Sequence, residues 1–518
     1  MLFDSAERVF AEAIANLSQA NVFDAEEVAR HEKIASSVDL SDEVKARVVP
    51  LRNVVWRKDF PELLQRAEAM TEVARERIRA GEGNANERDL YRDLALFIVY
   101  YRFRERLQET LEETLGQPVS ATPGRGIRVT YYDEFVRDLL YYLDHASSDG
   151  VSPKMAGHWF AGFFQIRRAF ISIHTQIFGN SRPIAQLRAN VWQSIFTHNM
   201  RHYRELLYDR MHDFATLITG PSGTGKDLVA AAIGLSRYVA FDATAQQFEE
   251  DFGGAFHPVN LSALSPQLIE SELFGHCKGA FSGAVKDRIG WLESCKRCHS
   301  VFLDEIGELA PAIQVKLLRV LQNRTFQRVG ETATRPFEGK VIAATNRDLD
   351  EEMRLGRFRR DFYYRLCSDR IRTPSLREQL KDNPDELHYF VEIIARRLFG
   401  DTGDFLAKEV AAWIDQNLPR DYAWPGNIRE LEQCMRNVVV RKEYHPPQDP
   451  AVAPPDEFTI QLQRLQLTAD ELLSWYCTLV FGETGSYSET ARRLKLDRRT
   501  VRRQIDTNRL DRLPKPNA

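Results

Sequence analysis

Apolar residues in the first third of the chain recur at helical spacing. Leu94, Phe97, Ile98 and Tyr101 fall at i, i+3, i+4 and i+7, and Val136, Leu139, Leu140 and Leu143 repeat the pattern. That spacing puts one face of a helix into a core, so residues 1–172 are predicted as an almost wholly helical module. Breaks are expected at Gly81-Glu82-Gly83 and across 117–126, where glycine and proline interrupt the periodicity. Tyrosine pairs at 100–101, 131–132 and 141–142 read as core aromatics on packed helices rather than as a ligand pocket. Position ahead of the rest of the chain suggests an input or regulatory role.

From about Ile173 the pattern changes to short apolar strands alternating with helices, which predicts an α/β fold with a parallel sheet and crossovers. Four candidate strands end in polar residues. The run 214–219 leads into Gly220, and 256–259 into Asn260. The run 300–303 leads into Asp304-Glu305, and 341–344 into Thr345-Asn346. In open α/β sheets ligands sit beyond the carboxyl ends of strands, so these four tips can converge on one ligand.

The first tip carries the most specific chemistry. Gly220-Pro221-Ser222-Gly223-Thr224-Gly225-Lys226-Asp227 stands between a strand and a helix, the setting in which a phosphate-binding loop has meaning. Its glycines let backbone N–H groups curl around a triphosphate, Lys226 meets the outer phosphates, and the helix start adds its positive dipole end. Asp227 stands where Ser or Thr normally reaches Mg²⁺, and an acid there can hold that ion through water. Asp304-Glu305 after an apolar strand is a Walker B pattern. The first acid can hold Mg²⁺, and the second can orient and deprotonate an attacking water.

Composition adds limits. A chain of 518 residues is several domains long, and 43% hydrophobic with 28% charged residues is ordinary for a globular protein. No run of about 18 apolar residues is present, so no membrane helix is predicted. The N-terminus has acids early and no signal-peptide pattern, so a cytoplasmic location is expected. Six cysteines make no disulfide framework at this length. Cys295-Lys296-Arg297-Cys298-His299 formally fits a haem-attachment pattern, and Cys277 could add a fourth zinc ligand, but reduced thiols are the expectation.

The run 443–458 is proline-rich and reads as an extended linker. Beyond it, 459–518 contains two short helices joined at Lys495-Leu496-Asp497, with Asp497 placed to cap the second. Val501 and Ile505 would face inward while Arg498, Arg499, Arg502 and Arg503 face out. From Ser486 onward ten Lys/Arg oppose four Asp/Glu, so this helix-turn-helix is locally basic and fits DNA.

Further motifs carry a resemblance. Glu270-Ser271-Glu272-Leu273-Phe274-Gly275-His276, Gly279-Ala280-Phe281-Ser282-Gly283-Ala284, Phe302-Leu303-Asp304-Glu305-Ile306-Gly307 and Trp424-Pro425-Gly426-Asn427-Ile428-Arg429-Glu430-Leu431 follow one another in order. Over about 176–442 the chain resembles the AAA+ domain of sigma-54-dependent transcriptional activators, the bacterial enhancer-binding proteins. The resemblance implies a P-loop ATPase subdomain over 173–370, a helical lid over 371–442, and a C-terminal Fis-type helix-turn-helix. An acid after the loop lysine is usual in that family, which accounts for Asp227.

By the same resemblance, Gly220, Ser222, Gly223, Thr224, Gly225, Lys226 and Asp227 bind ATP. Asp304 holds Mg²⁺ and Glu305 activates water. Asn260 restrains the glutamate, Thr345 and Asn346 form the first sensor, and Arg429 the second. Arg359 and Arg365 match fingers lent to the γ-phosphate by a neighbouring subunit of a ring, hexameric in the family. Gly279, Ala280, Phe281, Ser282, Gly283 and Ala284 match the loop that contacts sigma-54, with Ser282 replacing the usual Thr. The implied function is an ATP-dependent activator that binds double-stranded DNA upstream of promoters and remodels sigma-54 RNA polymerase holoenzyme to the open complex. Two other readings are an AAA+ remodeller of another partner and a DNA-binding repressor with a vestigial ATPase. The intact Lys226, Asp304, Glu305 and arginine pair oppose the second, and the 279–284 loop opposes the first.

Overall fold

The computed structural model describes residues 1–40, 60–115, 127–144, 150–251, 253–446 and 468–505. The predicted break at 117–126, residues 447–458 of the predicted linker, and 459–467 and 506–518 of the predicted DNA-binding segment lie outside these. Residues Met1–Lys442 form one compact unit and Glu443–Ala518 a second.

Helices dominate the first part of the large unit: Ser5–Gln19, Ala25–Ser37, Phe60–Arg79, Ala85–Leu115, Tyr132–Leu143, Pro153–Gln176 and Arg182–Phe196. The first is fixed by a capping box in which Asp4 and Glu7 each accept the other's backbone N–H. The periodic positions Leu94, Phe97, Ile98, Leu139 and Leu143 are all buried in one cluster, as their spacing requires.

The helical region runs on past position 172 without interruption. Pro153–Gln176 is a single helix, because nothing between those residues breaks it, and the chain stays helical through Arg182–Phe196 before the first strand. An unpredicted hairpin also ties the regions together. β2 (Phe241–Asp242) pairs antiparallel with β3 (Gln247–Phe248). The Phe241 ring packs at a tilt against Phe160 with centroids 4.6 Å apart, and Phe248 lies equally close to Phe164. The hairpin thus buries its two aromatics against the helix Pro153–Gln176, in the same core as the N-terminal helices.

The main sheet holds β1 (Thr216–Thr219), β4 (Phe256–Asn260), β5 (Ser300–Asp304), β8 (Lys340–Thr345) and β9 (Asp369–Arg372) in the order β4-β5-β8-β1-β9, all parallel. A small ribbon of β6 (Thr325–Phe326) and β7 (Arg335–Pro336) lies apart from it. Register brings the strand ends level: Asn260 opposes Asp304, and Thr219 opposes both Thr345 and Arg372. β9 escaped the sequence pattern because its charges alternate and only Ile371 is fully buried, as suits a short edge strand. Four helices follow: Leu376–Asp382, Glu386–Phe399, Gly403–Asn417 and Asn427–Arg441.

The small unit has helices Ala469–Thr484, Tyr487–Leu494 and Arg498–Gln504. Lys495 takes the left-handed conformation at the turn, and the Asp497 carboxylate accepts from the backbone N–H of Arg499 and Thr500 at 2.8 and 2.9 Å. Val501 is fully buried while Arg498, Arg499, Arg502 and Arg503 are exposed.

Candidate functional site

The loop from Gly220 to Lys226 sits at the carboxyl end of β1, between strand and helix Lys226–Gly234. Two of its glycines are required sterically. At Gly220 an added Cβ would lie 2.1 Å from the Thr373 hydroxyl, and at Gly223 it would lie 2.3 Å from the Gly426 carbonyl. Thr224 Oγ1 lies 2.6 Å from Thr373 Oγ1, which fastens the loop to the end of β9. Lys226 Nζ donates to the carbonyls of Gly220 and Pro221, both at 3.1 Å. Burial holds the Lys226 ammonium below its usual range, opposed by the charges of Glu305 and Asp304. The two acids and the lysine therefore share one field.

Asp304 ends β5 half-buried, and its carboxylate accepts the Glu305 backbone N–H at 3.0 Å. Burial pushes the Asp304 carboxyl up, with that N–H and Lys226 pulling it down and Asp227 pushing further. Glu305 stands in the left-handed region at φ 56°, a strained conformation for a glutamate that turns its side chain off the strand end. Its Oε2 accepts the Asn346 backbone N–H at 3.4 Å. Thr345 is buried and accepts from Arg347 N, while the Asn346 side chain is exposed. Asn260 lies one strand over from the acids, but its Oδ1 accepts from the backbone N–H and hydroxyl of Ser262.

Arg429 reaches the loop from the helix Asn427–Arg441, donating to the Ser222 hydroxyl. Arg359 forms a two-bond ion pair with Asp361 at 3.0 and 2.7 Å, and its backbone N–H is held by buried Gln314. Arg365 is exposed on the helix Arg360–Leu366. Thr373, Gly426 and Asn427 complete the loop's surroundings; Thr373 was not named from sequence, and Gly426 and Asn427 stood in the Trp424–Leu431 motif without an assigned role. The Pro425-Gly426-Asn427 turn was the available signal, since Asn427 adopts φ 53° there.

The segment 279–284 forms an exposed loop whose base is closed by paired backbone bonds between His276 and Arg288. Gly279 N donates to the Ala284 carbonyl at 2.8 Å. Phe281 is 42% exposed, with its ring edge-on to His276, and Val285 and Ile289 beside it are exposed too.

The six cysteines are free thiols, and Cys277, Cys295, Cys298 and His299 do not form one cluster. Cys295 is buried in the sheet's core, and Cys277 sits at the base of the exposed loop. Among the described residues, Glu250, Cys298 and His299 are the group whose ligand atoms lie within 4.8 Å of one another. The Cys298 thiol donates to Glu250 at 3.2 Å, and burial pushes it up to about 12, so it is held protonated.

A parallel sheet with this strand order, a phosphate loop after β1, an acid pair at the tip of β5 and a helical lid define an AAA+ P-loop protein. Residues 196–372 match the family model described as the sigma-54 interaction domain. Over 196–372 the chain therefore carries a sigma-54 interaction domain, a domain of the AAA+ ATPase family. It is 43% identical to the Nif-specific regulatory protein of Azotobacter vinelandii over 227 residues, 44% of this chain and 40% of that protein. It is 38% identical to the transcriptional regulatory protein ZraR of Salmonella typhimurium over 298 residues, 56% of this chain and 62% of that protein. The chain thus spans about half the length of the curated relatives it matches. A crystal structure of NtrX from Brucella abortus covers 67% of this chain and 72% of its own, with 23% identity and a TM-score of 0.38. No helix among the described residues is long and apolar enough to cross a membrane.

Proposed function

We propose that the protein is a cytoplasmic ATPase that activates transcription by remodelling sigma-54 RNA polymerase holoenzyme to the open complex. The observation that carries this reading is the closeness of Lys226, at the start of the helix after β1, to Asp304 and Glu305 at the end of β5, together with an exposed Phe281 on the 279–284 loop. Lys226 and the loop N–H groups bind the ATP phosphates. The half-buried Asp304 carboxylate beside Lys226 and Asp227 suits a hard divalent cation and would hold Mg²⁺, with Asp227 bearing on it through water. When bound, Mg²⁺ neutralises phosphate charge. Glu305 orients and deprotonates the attacking water, Asn260 restrains that glutamate, and Thr345, Asn346 and Arg429 sense the phosphates.

Arg359 and Arg365 act in a homo-oligomeric ring, hexameric as the resemblance implies, where each subunit completes its neighbour's site. The 279–284 loop contacts sigma-54, and the segment 459–518 binds double-stranded DNA upstream of promoters. Residues 1–172 regulate, the lid spans 371–442, and 443–458 links it to the DNA-binding segment. The test separates chemistry from output. Phe281→Ala should keep ATP turnover within about threefold of the parent yet fail to drive open-complex formation with purified sigma-54 holoenzyme. Normal open-complex formation by that variant would overturn the assigned role of the loop.

A further inference from the structure

A cavity of about 380 Å³ lies inside the large unit, between the N-terminal helices and the helices leading to β1. That size suits a small organic molecule. Its walls are aromatic: Phe97 and Tyr100 from the helix Ala85–Leu115, Trp159 and Phe170 from Pro153–Gln176, Trp192 from Arg182–Phe196, and Phe23. The rings of Phe23 and Phe170 stack at 5.5 Å, and Trp192 meets Phe23 edge-on at 5.8 Å. The tyrosine pair at 100–101, read from sequence as plain core, therefore borders a cavity.

Charge on the cavity wall is unbalanced. Arg104, Arg167, Arg188 and Arg204 line it, against Glu32 and Asp93. Asp93 is already shared by Arg201 and Arg204. Arg188 is spent on the Ile177 carbonyl, at 2.7 and 3.0 Å. Arg167 is different. It is 5% exposed, and its partners are neutral: Gln108, the Tyr100 hydroxyl and the face of Phe170 at 5.2 Å. Its Nε has no hydrogen-bond partner, and neither does Nε1 of Trp159, itself 7% exposed. A buried guanidinium without a carboxylate is costly, and a single negative charge brought by a ligand offsets that cost.

We propose that this cavity binds a one- or two-ring aromatic carboxylate, its ring between the aromatic walls and its carboxylate toward Arg167. The same cavity is mechanically joined to the phosphate loop. Tyr203 on its wall donates to Gln165 Oε1 at 2.8 Å, and Gln165 Nε2 donates to the Ser236 carbonyl at 2.9 Å, two residues past the helix Lys226–Gly234. Tyr203 belongs to a π-helical turn, Tyr203–Leu207, of the kind often found at functional positions. Trp192, Met200 and Tyr203 also share one apolar cluster with Ile218 of β1 and Val229 and Ile233 of that helix. Occupancy of the cavity therefore alters ATP turnover. This second part rests on the proposed ATPase, whereas binding does not.

Gly162 lines the cavity, and an added Cβ there meets nothing within 4 Å. Gly162→Leu thus fills the space without displacing backbone and raises helix propensity. The experiment titrates the full chain by calorimetry with benzoate, phenylacetate and indole-3-acetate, their primary amides, and phenyl phosphate. At least one acid should bind with Kd below about 1 mM, at least about tenfold tighter than its amide. Gly162→Leu should abolish that binding, and Arg167→Gln should bring acid and amide to within about threefold. No acid binding, binding that survives Gly162→Leu, or equal binding of amide or preferred binding of phenyl phosphate would overturn the site or its class. In parallel, the bound acid should change ATP turnover of the parent at least about twofold. An acid that binds without that effect would overturn the coupling and leave the ATPase reading intact, whereas turnover absent with and without acid would count against the ATPase itself.

Discussion

Arg429 donates to the Ser222 hydroxyl at 2.9 Å, joining the last lid helix to the phosphate loop across 207 positions of sequence. Asn427, two residues earlier, makes the tighter join. Its Nδ2 donates to the Ser222 carbonyl at 2.9 Å while its Oδ1 accepts the Leu376 N–H at 2.8 Å. The Ile428 N–H adds a bond to the Gly223 carbonyl at 3.1 Å. One side chain thus ties loop, lid start and lid end together. Asn427→Ala should lose both bonds and place an alanine at positive φ, costing about 3 kcal/mol of stability. ATP affinity should fall as well, because the loop loses its outer support. Thermal unfolding and nucleotide titration check this; unchanged values in both would show that the turn does not brace the loop.

The ion pair between Arg359 and Asp361 holds the guanidinium at an exposed surface of its own subunit. An arginine lent to a neighbour acts only across an interface. Arg359→Ala and Lys226→Ala proteins should each be inactive as ATPases. Mixed, they should regain part of the activity, since some interfaces then combine an intact loop with an intact arginine. Absence of recovery in demonstrably mixed assemblies would argue that Arg359 serves its own subunit.

Lys340 opens β8 with 2% exposure, and its Nζ donates to the carbonyls of Phe214 at 2.6 Å and Met211 at 3.4 Å. Burial, then Arg237, pushes its ammonium down to about 7; Asp369 opposes this and Arg324 adds to it. The unfolded chain keeps that proton up to the ordinary lysine range, about 10.4. Between those values the unfolded state binds more protons, so stability rises with pH across the window. Lys340→Met lacks this contribution, and the two stranded carbonyls cost it a constant amount. The melting temperature of the parent relative to Lys340→Met should therefore climb from about pH 6.5 to about pH 9. Parallel curves would refute the lowered value.

Four of the sheet's five strands were legible because each is an apolar run ended by a polar group, and these runs place their tips at one level, whereas the charged β9 gave no such signal. Lys226, Asp304 and Glu305 could be found for the same reason: glycine loops and acid pairs have fixed spacing along the chain. Thr373 and Asn427 could not, since their roles arise from contacts with the loop across 149 and 205 positions. The β2–β3 hairpin was hidden by its length of two residues per strand, too short for any period to register. The cavity escaped for a further reason. Aromatic residues at helical spacing look alike whether the helices close on one another or leave a gap.

The tail arginines carry the last prediction. Arg498, Arg499, Arg502 and Arg503 are exposed on one short helix whose start is fixed by Asp497 and whose inner face is anchored by Val501. In a helix-turn-helix the second helix enters the major groove, so the proposed DNA-binding role predicts that these four side chains divide between phosphates and base edges. Loss of a base-reading arginine should cost about 1–3 kcal/mol and relax specificity at one position. Loss of a phosphate contact should weaken binding to every sequence and flatten the salt dependence by about one unit of slope. Burial of Val501 predicts a contrast: Val501→Ala should unseat the whole helix and reduce all binding together. Single arginine-to-alanine variants, titrated with upstream DNA and with scrambled duplex across a salt series, sort the four. Unaltered affinity and slope in all of them would show that this helix does not meet DNA.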